Sequence, residues 1–235
     1  MESRFPLRKL PEDDLTIYFF RDLVYDEISK SVVRYEYGKG GECLHRGYYC
    51  PSTVRDVVVG NVRRGRRIKN RKENQEIIYI YGFDSENRLL TVENVDCNTR
   101  EFILYQGNLQ IGIMFDKNWS KVRAVLECFY DENGKILTYK YGSVDFETCE
   151  VHEFDIENYK YSPNGLAVDW HHFLDCWRKP RFGYRYHYWC DKYYFSVVDG
   201  YLSTYTTEHF TEQGKQESVW DGHVFRVYER RKYQG

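Results

Sequence analysis

The residues best suited to chemistry are scattered along the chain. ECLHRGYYC sets Cys43, His45 and Cys50 in a C-x-H-x4-C spacing. A tetrahedral zinc site would need a fourth ligand there, which only long-range folding could supply, from Cys176, Cys190, His171 or His172. No C-x2-C pair occurs, so no metal is expected. HHFLDC places His172 four residues before Cys176, on the same face of a helix and spaced as a cysteine–histidine dyad would be. Asp175 beside that thiol would raise its pKa rather than lower it. Acidic residues gather at Glu147, Glu150, Glu153 and Asp155. Glu153 and Asp155 share a strand face, as an acid–base pair or two metal ligands would. There is no phosphate loop, no GxGxxG after a strand, no GxSxG and no HExxH. No catalytic residue and no cofactor are assigned.

Two stretches are built for binding instead. RRGRRIKNRK carries Arg63, Arg64, Arg66, Arg67, Lys69, Arg71 and Lys72 within residues 63–72. Arginine forks suit phosphates or an acidic protein face equally well. Glu73 and Glu76 follow and confine the basic run to one loop. RKPRFGYRYHYW then interleaves Arg181, Tyr184 and Arg185 with further aromatics. That pattern fits either a stacking platform for bases or a protein-binding hot spot. In an extended strand Tyr184, Tyr186 and Tyr188 face one way, and Arg185, His187 and Trp189 the other.

These residues must be positioned by sheet. Of the 235 residues, 18% are Tyr, Phe or Trp, whereas alanine occurs only at Ala124 and Ala167. Aromatic and β-branched side chains fit a pleated, half-buried surface, and long Ala- and Leu-rich helices are excluded. The charge is −2, so no global field draws the chain to nucleic acid or membrane. No window approaches a spanning apolar segment, and MESRFPLRKLPEDD is not built as a secretory signal. Seven scattered cysteines read as free thiols in a reducing, cytoplasmic compartment.

Strand–turn–strand patterns run through 16–38, 76–95, 100–116, 121–142, 148–159 and 182–231, with hairpin signals at Glu132-Asn133-Gly134 and Asp199-Gly200. Residues 51–62 suit a short Ser- or Thr-capped helix or a strand. Leu166, Trp170, Phe173, Leu174 and Trp177 fall at helical spacing, between Ser162-Pro163 and Pro180, and predict one principal amphipathic helix near 164–178. The expected architecture is a single mainly β domain over 1–235, an antiparallel hairpin or meander sheet with that helix.

Three stretches share an aromatic-Asp, a polar turn, a basic residue and an apolar pair: 25–38, 83–94 and 130–142. The aspartate is expected to accept backbone N–H groups in each turn. YDENGKILTYKYG, Tyr130 to Gly142, resembles a unit of the tyrosine–aspartate repeat of bacterial toxin shells. It is also similar to hairpins of the immunity proteins encoded beside bacterial polymorphic toxins. The resemblance implies an antiparallel cytoplasmic protein that binds and blocks a cognate toxin domain. The expected contact residues are the basic loop together with Arg181, Tyr184 and Arg185. The alternatives are a nucleic-acid-associated or phage factor using the same loop, and a small hydrolase.

Overall fold

The computed structural model describes residues 21–40, 45–58, 65–70, 72, 75–118, 121–144, 151–175, 186–211 and 214–233. Among the described residues, fourteen strands form one antiparallel sheet. They are β1 (Arg34–Lys39), β2 (Arg66–Ile68), β3 (Tyr79–Phe83), β4 (Leu89–Asn94), β5 (Thr99–Gln106), β6 (Leu109–Asp116) and β7 (Val122–Tyr130). There follow β8 (Ile136–Val144), β9 (Val151–Ser162), β10 (Gly165–Asp175), β11 (Tyr186–Val198), β12 (Tyr201–Thr211), β13 (Gly214–Gln216) and β14 (Phe225–Lys232). From β3 to β13 each strand pairs with the next in sequence. β1 then adds outside β3, β2 closes that end, and β14 shares the outer edge of β12 with β13.

Local turn chemistry explains the meander. Asp84 Oδ1 accepts the N–H groups of Glu86 and Arg88 at 2.9 and 2.8 Å. Asp131 Oδ1 accepts those of Asn133 and Lys135, both at 2.8 Å. Asp116, in a third aromatic-Asp pair, accepts Asn118 N–H at 3.0 Å. Asp199 and Gly200 turn the β11–β12 hairpin with φ of 51° and 75°, the left-handed pair that a two-residue hairpin loop requires.

Three sequence expectations fail. The basic run read as one loop contains strand β2 at Arg66–Ile68, paired with β1. The helix near 164–178 is strand β10 over Gly165–Asp175, paired along its length with β9 and β11. Leu166, Val168, Trp170 and His172 are buried, while Ala167, Asp169, His171 and Phe173 are half-buried. That alternation is period two. Leu166 and Trp170 satisfy both periods, and flanking sheet on each side decides between them. Of the region 16–26 read as a strand, the described part, residues 21–26, belongs to α1 (Arg21–Ser29) instead. Its Val24, Tyr25 and Ile28 pack on Phe102, Ile113 and Phe115, one helical stripe on one sheet face. Tyr25-Asp26 therefore sits in a helix, and the first of the three similar stretches is no hairpin.

The opposite sheet face carries the larger core, with Leu126, Tyr139, Tyr141, Val168, Trp170, Tyr193 and Phe195. Residues 45–58 cross this face as a strap. It holds a 3-10 turn (Gly47–Tyr49) and α2 (Thr53–Val57), a helix capped by Ser52 Oγ accepting Arg55 N–H at 2.8 Å. The Ser-capped option for 51–62 is the one realised. Gly47 is required, because a Cβ would stand 2.5 Å from the Tyr79 ring.

Candidate functional site

Three buried carboxylates hold the strap on the sheet. Glu101 on β5 takes Arg46 through Nε at 2.9 Å and Nη2 at 2.7 Å, while Arg46 Nη1 donates to Gln110 at 2.6 Å. Both charges are almost wholly buried. The pair fits because β6 carries Gly112 beneath it. A Cβ there would lie 2.0 Å from Glu101 Oε1.

Glu157 on β9 meets the start of α2. The hydroxyls of Ser52 and Tyr159 donate to it, as does Val54 N–H at 3.4 Å. Burial raises its carboxyl to about 7, against the pull of those hydroxyls. His45 ring Nδ1 lies 2.7 Å from the Tyr139 hydroxyl, and burial, reinforced by Arg55, lowers it to about 3. It is a neutral core ring.

Asp155, fully buried, is the third carboxylate. Its Oδ1 accepts Trp170 Nε1–H at 3.1 Å and lies 2.5 Å from His172 Nδ1. Its Oδ2 accepts Arg55 Nη2 at 2.5 Å, and Arg55 also reaches Glu153 at 3.4 Å. Burial alone would push Asp155 upward, but His172 and Arg55 together hold it below the usual carboxylate range. Glu153 and Asp155 do share a strand face. With His172 their ligand atoms lie within 4.8 Å of one another. The Arg55 guanidinium bridges the two carboxylates and supplies the positive charge that a cation would bring, so the donor set does not fit a resident metal. Asp155 orients the His172 ring as a triad carboxylate orients its base. The thiol that the dyad would need, Cys176, lies outside the described residues.

Beyond the strap, the same sheet face opens into a cavity of 280 Å³. Asp191, Tyr193, Tyr205 and His209 come from β11 and β12, Val58 from the end of the strap, and Ser218, Trp220, Asp221 and Phe225 from the segment leading into β14. His209 Nδ1 lies 2.6 Å from Asp191 Oδ1, and Tyr193 Oη donates to Asp191 Oδ2 at 3.2 Å. Tyr205 stacks on Phe225 at 5.1 Å, and Trp220 meets Phe225 at 5.9 Å.

Arg66 and Arg67 lie exposed on β2, the terminal strand, and Lys69 and Lys72 are exposed beyond it. Arg67 reaches Glu36 at 3.4 Å. Arg63, Arg64, Arg71, Arg181, Tyr184 and Arg185 lie outside the described residues, as do Cys43, Glu147 and Glu150. His45 and Cys50 are both buried, and Cys50 Sγ lies 3.5 Å from the Ser52 carbonyl. Tyr188 and Trp189 take opposite faces, as the alternation requires: Tyr188 packs on Phe173, and Trp189 lies 4.1 Å from His172. Sequence reading missed Arg46, Glu101 and Glu157 altogether. The available signal was acidic residues at the core-facing parity of strands β5 and β9.

Comparison with family models, curated proteins and solved structures found no match. What the chain can do is therefore read from its own geometry.

Proposed function

We propose that this protein binds and neutralises a cognate bacterial toxin domain, using the basic end of its sheet against an acidic face of that domain. One observation carries the proposal. The terminal strand β2 is exposed and displays Arg66 and Arg67, with Lys69 and Lys72 beside it. Among the described residues, no strand pairs with its outer edge. Such an edge is a template for strand addition. Its charge repels a second copy of itself and favours an acidic partner. The stretch Tyr130–Gly142, which carries the resemblance to immunity-protein hairpins, folds as a hairpin whose turn is closed by Asp131, and this supports the reading.

The test is titration calorimetry with the toxin domain encoded beside this chain. Binding is expected to weaken as salt rises. The combined R66E, R67E and K69E variant is expected to bind at least about tenfold more weakly, as for an electrostatically complementary interface. A variant that binds as tightly as the parent overturns this surface. Preferential binding of RNA or DNA, with a steep salt slope, assigns the basic end to nucleic acid instead.

A further inference from the structure

The cavity at the β11–β12 end is lined mainly by aromatic rings, with two aspartates and His209 among them. Tyr193, Tyr205, Phe225 and Trp220 form a continuous run, with Tyr193 and Tyr205 edge-on at 6.0 Å and Tyr205 stacked on Phe225. Asp191, 17% exposed, and Asp221, exposed, both line it. No lysine or arginine is among the described residues lining it. Lys215 feels the charge of Asp221, but its Nζ is bound to Glu208 at 2.6 Å. Trp220 remains 54% exposed, with the His223 and Phe225 rings against it at 5.8 and 5.9 Å.

Each part of this arrangement favours one kind of guest. Ring faces carry negative quadrupole charge and attract cations, most strongly when water is excluded. The half-buried carboxylate of Asp191 adds Coulomb attraction in a medium less polar than water, and the exposed Asp221 adds less. Asp191 uses Oδ1 with His209 and Oδ2 with Tyr193. A carboxylate has about four lone-pair sites, so it keeps capacity for another donor. A volume of 280 Å³ is close to the lower end of small-molecule sites, enough for an ammonium head and a short chain but not for a nucleotide. A neutral apolar guest would leave Asp191 facing hydrocarbon, and an anion would meet two carboxylates.

We infer that this cavity is a binding site for an organic ammonium cation, held against the aromatic lining of Tyr193, Tyr205, Trp220 and Phe225 with its charge near Asp191. The cation can be a free amine or the end of a lysine side chain presented by a peptide, because the recognition chemistry is shared. The site is independent of the basic edge at β2, which lies at the other end of the sheet.

The test is titration of the full chain with choline, butylamine and a doubly capped lysine, followed by calorimetry and by the tryptophan fluorescence change that is lost in Trp220→Ala. The neutral isostere of choline, dimethylbutanol, serves as the control. Saturable binding of at least one cation is expected, with the neutral isostere about tenfold weaker or worse. Trp220→Ala, read by calorimetry, and Asp191→Asn are each expected to weaken binding by about tenfold. Asp221→Asn, at an exposed position, is expected to weaken it less and guards against loss of fold in the Asp191 variant. Tighter binding of capped lysine than of butylamine identifies a peptide as the source, and the reverse order a free amine. No saturable binding by any of the cations, or equal binding of dimethylbutanol, overturns the inference.

Discussion

At the scale of single residues, the strap is held by titratable groups whose environments oppose each other. Between pH 4.5 and about 7 the folded chain keeps a proton on Glu157 that the unfolded chain has released. This contribution to stability is full below the unfolded value and is lost as pH rises to 7. His45 has the opposite sign. Its folded value near 3 means that unfolding takes up a proton below about 6.5, so its contribution is full above that pH and is lost on acidification. From pH 4.5 to 6.5 the two slopes cancel. Glu157→Gln removes one of them. The stability of that variant, from urea denaturation, is expected to rise by about 3 kcal/mol over this window relative to the parent. Parallel profiles for the two proteins would show that Glu157 does not carry the proton assigned to it.

The Arg46–Glu101 pair makes a different residue-level prediction. Removing one partner leaves an uncompensated buried charge, so Glu101→Leu alone is expected to cost about 3–5 kcal/mol. The double change with Arg46→Met is expected to recover most of that loss, because two apolar side chains can replace a buried pair. Gly112→Ala should also destabilise, since the new methyl would stand 2.3 Å from Arg46 Nη2. Chemical denaturation of the four proteins reads all three effects.

At the scale of elements, the hairpins rest on their aspartates. Asp84→Ala removes two backbone acceptor interactions and a 2.7 Å contact from Arg88. It is expected to cost about 2 kcal/mol, measured as a shift in denaturation midpoint. Asp84→Asn, which keeps an acceptor oxygen, should lose less. These elements were readable because their determinants are local: aromatic-Asp, turn and apolar alternation lie within about a dozen residues. Strand β10 was misread for the complementary reason. Leu166 and Trp170 fit both a helical and a strand period, and only pairing with β9 and β11 selects the strand. The strap clusters were not readable, because Arg46 and Glu101 are 55 positions apart and Ser52 and Glu157 are 105 apart. A lone buried acid in a strand signals that some partner exists, but not which one. The cavity depends similarly on segment 218–225 folding over β11 and β12.

At the scale of the whole molecule, the described strands form a long sheet with different chemistry at its two ends. β2 displays basic residues, and the far end carries an open cavity lined by aromatic rings and two aspartates. The order β13 to β3 follows the chain, so most strand pairings close short loops. The strap is the exception, crossing strands that appear far later in the sequence. That difference separates the order of events in time. Hairpins such as β7–β8 can form early, whereas residues 45–58 have nothing to dock on until β5 and β9 are aligned. Ser52→Ala, which removes the cap of α2 and one donor to Glu157, is therefore expected to accelerate unfolding several-fold and leave the folding rate nearly unchanged. Stopped-flow kinetics would detect the opposite outcome as a slowed folding arm. The strap thus acts as a late-closing latch: it adds little to how fast the sheet assembles and much to how long it persists.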